Sequence, residues 1–65
     1  EQLQIIRTAL KKLPERRRKA FLWHRVEGLS FSAVGRRLGI TRHAVVKHVT
    51  RAALDIDKAL SAAME

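Results

Sequence analysis

Apolar residues recur along this chain at spacings of three and four, the rhythm of amphipathic helices rather than strands. Leu3, Ile6 and Leu10 follow it and predict a first helix near residues 2–12. Pro14 then interrupts the pattern. Proline suits the first position of a new helix, where its missing N–H would be unpaired anyway, and Glu15 complements the positive end of the helix dipole. A second helix is therefore predicted over residues 14–27, with Ala20, Phe21, Leu22 and Val26 as its apolar positions. Gly28 supplies the stop, since glycine tolerates the left-handed conformation that helix ends favour. Ser30 is placed to cap a third helix over residues 31–38 by accepting a bond from a free backbone N–H. Gly39 ends that one, and Thr41 caps a long fourth helix over residues 42–62. No strand pattern, internal repeat or low-complexity tract appears. The prediction is an all-α domain of four helices.

A short third helix, a Gly-Ile-Thr turn and a longer fourth helix form the pattern of a helix-turn-helix. Gly35 and Gly39 are the informative residues. A glycine inside a helix costs roughly 1 kcal/mol relative to alanine, so Gly35 needs an offsetting reason. A close approach of the third and fourth helices where they cross is that reason, while Gly39 permits the tight turn. Val34, Leu38, Ile40, Val45 and Val49 are the expected shared apolar filling. The competing reading is an ordinary helical hairpin with an incidental glycine.

On a wheel at about 100° per residue, Val45, Val49, Ala52, Ile56 and Leu60 fall on one side of the fourth helix and are expected to face the core. His43, Lys47, Thr50, Arg51 and Leu54 point the other way, with Val46 flanking them. A recognition helix enters the DNA major groove by its N-terminal end. Arg42, His43, Val46 and Lys47 are then the candidates to meet base edges. Arginine offers paired donors to guanine, lysine can approach the same atoms, and valine suits a thymine methyl. Ser32, Arg36, Arg37, Thr41 and Arg51 are the candidates for phosphate contact, from basic side chains and helix N-termini around the groove. Asp55 and Asp57 lie roughly 20 Å further along the helix axis.

Charge agrees with this picture. The 65 residues carry a net charge of +8, which suggests a polyanionic partner, nucleic acid before a membrane surface. From Arg7 to Arg51 only Glu15 and Glu27 oppose the cations, whereas Asp55, Asp57 and Glu65 outnumber Lys58 beyond it. No apolar run reaches the roughly 20 residues that span a bilayer. The chain has no cysteine, so disulfides and thiolate metal sites are excluded, which fits a reducing cytoplasm. It begins with Glu1 rather than Met, as a piece of a longer protein would.

Other features promise less. The run "RRRK", Arg16 to Lys19, points all round its helix and is expected to be mostly solvated. His43 and His48 fall outside the i, i+4 spacing of a helical metal pair, and no nucleophile–base–acid trio or glycine-rich phosphate loop can be assembled. The expectation is no enzyme activity, no metal and no cofactor. Trp23 is expected in a partial core or a partner contact. Leu54, apolar and outward, is either a protein contact or one of the exposed leucines that any surface carries.

The stretch "LPERRRKAFLWHRVEGLSFSAVGRRLGITRHAVVKHVTRA", residues 13–52, resembles the promoter-reading region-four domain of bacterial extracytoplasmic-function sigma factors. The likeness rests on "LPER" opening a helix, "EGLS" before the third, "LGIT" at the turn and "V-x-K-H-V-x-R-A" in the fourth. The last of these is similar to the ferrisiderophore-uptake branch. The resemblance implies a sigma region-four fold, winged-helix-like but without strands. It also implies a bacterial cytoplasmic setting, binding to the promoter −35 element, docking on the β-subunit flap of RNA polymerase, and control by an anti-sigma factor or membrane regulator. Arg42, His43, Val46 and Lys47 match the family's base-facing positions, and Thr41 and Arg51 its flanking backbone contacts. Two residues depart from the family pattern. Val46 stands where many relatives are polar, which leaves open the base it reads; Gly35 replaces a common alanine, implying a loss of stability without a change of fold.

Two other readings remain. A LuxR-type response-regulator output domain has a similar "GLS…LGI…VKHV" run and would bind DNA as a dimer; "LPERRRKAF" and the tail "AALDIDKALSAAME" favour the sigma reading. A protein-interaction module gripping an acidic regulator is the alternative without DNA.

Overall fold

The computed structural model describes residues 1–64 and consists of α1 (Gln2–Lys12), α2 (Glu15–Arg25), α3 (Phe31–Leu38) and α4 (Arg42–Ala63). Among the described residues there is no strand, and no helix is long and apolar enough to cross a membrane. The fold is the all-α, helix-turn-helix arrangement that the apolar rhythm predicted.

Each boundary has a local cause. Pro14 lies one residue outside the position predicted for it: it is the residue before α2, with φ −55° and ψ 148°, and its carbonyl accepts the first helical bond, from Arg18 N–H at 2.9 Å. The second helix also stops short of Glu27. Gly28 turns left-handed at φ +77°, and Leu29 N–H reaches back to the Trp23 carbonyl at 3.0 Å. The Ser30 hydroxyl accepts from Ala33 N–H at 3.0 Å and the Thr41 hydroxyl from Ala44 N–H at 3.1 Å, so both predicted caps form. Each removes an orphan donor from a helix start.

Packing centres on α4. Ala20, Val34 and Val45 are fully buried and Val49 nearly so, with Phe21, Trp23, Leu29, Phe31, Leu38 and Ile40 packed around them. This cluster joins α2 and α3 to the N-terminal half of α4. Ala9, Leu13, Ala52 and Ile56 are also buried, where α1 and the link after it cover the far half. Two apolar positions of the helical rhythm are not in it. Leu3 is 63% exposed and Val26 72% exposed, because α1 turns its Ile5–Ala9 side inward and the chain leaves the helix at Val26. Trp23 is part of the core, as expected.

The Gly35 backbone explains the mid-helix glycine. A Cβ built on it would lie 2.8 Å from the Ile40 carbonyl oxygen, closer than such atoms pack. The turn, rather than the body of α4, makes the close approach. The Gly35 carbonyl accepts from Gly39 N–H and, at 3.0 Å, from Ile40 N–H. Gly39 itself is left-handed at φ +71°, which side chains with a Cβ adopt only with strain. The stability loss implied by glycine in place of alanine is thus reversed: at this site the methyl would displace the turn.

Candidate nucleic-acid interface

The turn joins the C-terminal end of α3 to the N-terminus of α4, and a shallow basin lies beside it. Ser32, Gly35, Arg36, Gly39, Ile40, Thr41 and Arg42 line the basin. Ser32 and Arg36 are one helical turn apart, so they share a face of α3, while Thr41 and Arg42 open α4. Four of the predicted DNA-contacting side chains therefore meet around a floor made by glycine backbone. N–H groups at a helix start, the local dipole and a nearby guanidinium together suit an oxyanion such as a phosphate.

Further along α4 the faces separate as predicted. His43, Lys47, Thr50 and Arg51 are exposed, Val46 is half-buried beside them, and Val45, Val49, Ala52 and Ile56 are buried. Leu60, assigned to the core side, is only half-buried. Leu54 is 52% exposed. Arg51 leans on Asp55 at 3.6 Å one turn later, a pair too exposed to fix it strongly.

Arg37 stands apart from the other phosphate candidates. Its guanidinium lies 5.2 Å from the centre of the Trp23 ring, and it lines a different cleft, with Glu15, Arg16, Lys19 and Leu38. Neighbours on a helix point about 100° apart, so Arg36 and Arg37 serve different faces.

Among the described residues, two acids are paired with cations on their own helices. Glu15 pairs with Lys19 at 3.1 Å, a hydrogen bond and charge that hold its carboxyl below the ordinary value of 4.5. Three of the "RRRK" side chains make contacts, more than the solvated role predicted. Besides Lys19, Arg18 donates to the Leu13 carbonyl at 3.4 Å and Arg17 Nε to His48 Nδ1 at 3.5 Å. His48 can accept that bond only while neutral. Burial, and then the charges of Arg17 and Arg16, push its pKa below the ordinary 6.5. His24 is engaged elsewhere: Nδ1 lies 2.7 Å from the Leu29 carbonyl and its ring stacks on Phe31 at 4.0 Å.

Residues 3–56 match the family model described as sigma-70, region 4. The chain belongs to that family. The matched span includes the whole basin and the exposed face of α4 from Arg42 to Arg51. Sigma-70 region four is a DNA-binding helix-turn-helix of transcription sigma factors and not an enzyme family. No curated protein and no solved structure matches the chain.

One element of this region-four surface escaped sequence reasoning. Phe31 lies beneath Arg42, whose guanidinium carbon is 6.0 Å from the ring centre. Phe31 had been legible only as the first residue after a cap. The ten residues between it and Arg42 cross a turn, where helical periodicity predicts no contact.

Proposed function

We propose that this region-four domain reads the promoter −35 element for an alternative sigma factor of the extracytoplasmic-function class, acting in the bacterial cytoplasm. The observation that carries the reading is the grouping of Ser32, Arg36, Thr41 and Arg42 around one basin at the turn. The exposed α4 face continues from it. In this reading Arg42, His43, Val46 and Lys47 meet base edges in the major groove. Ser32, Arg36, Thr41 and Arg51 hold the flanking phosphates and set the register. Arg37, turned onto Trp23, is left out of that set.

A groove toward the far end of α4 suits a second partner. This groove, of about 570 Å³, runs between α1 and α4, lined by Ile5, Ala9, Leu13 and Ala59 among others, with Lys12 and Lys58 also on its walls. It lies near the far end of α4 from the recognition tip. A domain that holds DNA with one face is then free to dock on the β-subunit flap of RNA polymerase with the other. Control by an anti-sigma factor or membrane regulator, and a place in the ferrisiderophore-uptake branch, follow from the sequence resemblance described above.

Run-off transcription with core polymerase and the full-length parent, on promoters substituted at each −35 position, tests the reading. Arg42→Ala is expected to lose about 1–3 kcal/mol and relax preference at one base position. Equal weakening on every sequence removes Arg42 from the base readers. Dimeric complexes on a palindromic site support the response-regulator reading instead. Retention on a flap fragment without promoter affinity in holoenzyme supports a protein-interaction module.

A further inference from the structure

Arg42 is the most exposed kind of base reader, a long flexible side chain at the first position of a helix. Among the described residues its guanidinium has no ion pair and no hydrogen bond; its neighbour is an aromatic face. Phe31 opens α3, fixed there by the Ser30 cap immediately before it. It is half-buried and packed against the central cluster, so the ring cannot swing freely. The imidazole of His24 stacks on it with ring centres 4.0 Å apart and an interplanar angle of 18°. His24 is itself held by its bond to the Leu29 carbonyl at 2.7 Å; the acceptor there is a carbonyl, so Nδ1 carries the hydrogen. The same phenyl ring has the Arg42 guanidinium carbon over it, 6.0 Å from the centroid. One residue from each of α2, α3 and α4 thus meets at this ring, and the guanidinium lies at the lip of the recognition tip.

We propose that Phe31, backed by His24, is a specificity-determining positioning residue that aims Arg42 at its base. This rests on the reading of Arg42 as a base contact. The ring face attracts the cation electrostatically, and a planar guanidinium suits lying on an aromatic face better than an ammonium does. Holding the side chain before binding removes part of the ordering that a free arginine must undergo when it meets guanine. Phe31 itself touches no base. Its effect on recognition passes through Arg42 and is confined to the position that Arg42 reads.

The test uses holoenzyme assembled with the full-length parent, and equilibrium binding to a promoter duplex and its single-base variants along the −35 element. Phe31→Leu keeps apolar bulk and removes the aromatic face. It is expected to reduce discrimination about two- to fivefold, the fold-change of an exposed cation–π contact, at the same base position that Arg42→Ala affects. Phe31→Tyr retains the face and is expected to restore discrimination. In the Arg42→Ala background Phe31→Leu is expected to change nothing further. If Phe31→Leu fails to fold, pentafluorophenylalanine at this position keeps the ring's shape while reversing its charge distribution, and the same loss is expected. Unchanged base preference with either variant overturns the proposal, as does uniform weakening on all sequences or an effect that persists undiminished without Arg42. If Arg42→Ala alters no base preference, the underlying reading fails along with it. If Arg42→Ala does and Phe31→Leu does not, only the positioning role fails.

Discussion

Replacing Gly35 with alanine separates two physical accounts of the turn. Propensity alone says the change is favourable by roughly 1 kcal/mol, because glycine is a poor interior residue of a helix and alanine the best. The local geometry says otherwise. The added Cβ would sit 2.8 Å from the Ile40 oxygen and 3.5 Å from the Arg42 nitrogen and the Thr41 carbonyl carbon. Ordinary van der Waals contact for such a Cβ begins at 3.4 Å, so the Ile40 carbonyl must retreat by about 0.6 Å. It is poorly placed to do so. The N–H of Ile40 is bonded to the Gly35 carbonyl at 3.0 Å, and the next residue caps α4. Overpacking of this kind costs about 1–3 kcal/mol, and because the obstacle is backbone the upper half of that range applies. The net expectation is a loss of about 1–2 kcal/mol, each kcal/mol being worth about 4–8 °C in melting temperature for a domain of this size. Thermal and urea unfolding followed by far-ultraviolet circular dichroism measures it. A melting temperature that rises refutes the steric account. Gly39→Ala provides the contrast: nothing lies within 4 Å of its added Cβ, yet φ is +71°. It is expected to lose about 1–2 kcal/mol from conformation alone, with part recovered by Gly39→Asn.

Thr41→Ala removes the hydroxyl that accepts from Ala44 N–H, and urea unfolding is expected to show a loss of about 1 kcal/mol that Thr41→Ser largely recovers. His48 makes stability depend on pH. Below the ordinary histidine value of 6.5 the unfolded chain takes up a proton that the folded chain resists, so stability is full above that value and falls as pH drops toward the depressed folded pKa. Urea titrations across this window are expected to show His48→Gln with a shallower decline than the parent; parallel curves exclude the assignment. Binding of holoenzyme to promoter DNA is expected to weaken steeply with salt, with a log–log slope of about −0.9 per neutralised phosphate. Arg36→Ala is expected to lower that slope by roughly one such step and weaken all sequences alike, whereas a base-specific loss would move Arg36 out of the phosphate set.

The elements of the fold were legible because each is specified locally. Ser30, Gly39 and Thr41 announce a stop and two starts through chemistry that acts within four residues, and all three act there. The buried side of α4 followed from its 3.6-residue period, and Val45, Val49, Ala52 and Ile56 are buried as read. Apolar positions stay outside the core where the same local rules lose to geometry further off. Val26 has the right spacing for the core but falls where Gly28 pulls the chain out of the helix. Leu3 keeps the helical rhythm, yet α1 contacts α4 through Ala9, a residue too small to stand out in a search for large apolar positions.

The candidate site divides along the same line. His43, Val46, Lys47 and Arg51 could be named from a wheel, Arg42 from its place in the first turn of α4, and Ser32, Arg36 and Arg37 only as polar or basic residues near the groove. What a wheel could not supply is how side chains from different helices meet. Arg36 and Arg37 are adjacent and identical in type, yet one lines the basin beside Arg42 and the other covers Trp23. The choice depends on where α2 lies, which no property of either arginine encodes. The same holds for Phe31 under Arg42 and for Arg17 against His48, contacts across 11 and 31 positions. Gly35 is the hinge between the two kinds of information. Its sequence context marks it as anomalous, and only the path of the Ile40 carbonyl shows why. By admitting that carbonyl, Gly35 sets the separation between α3 and the start of α4, and with it the distance from Phe31 to Arg42. A residue with no side chain thereby governs where the Arg42 side chain stands.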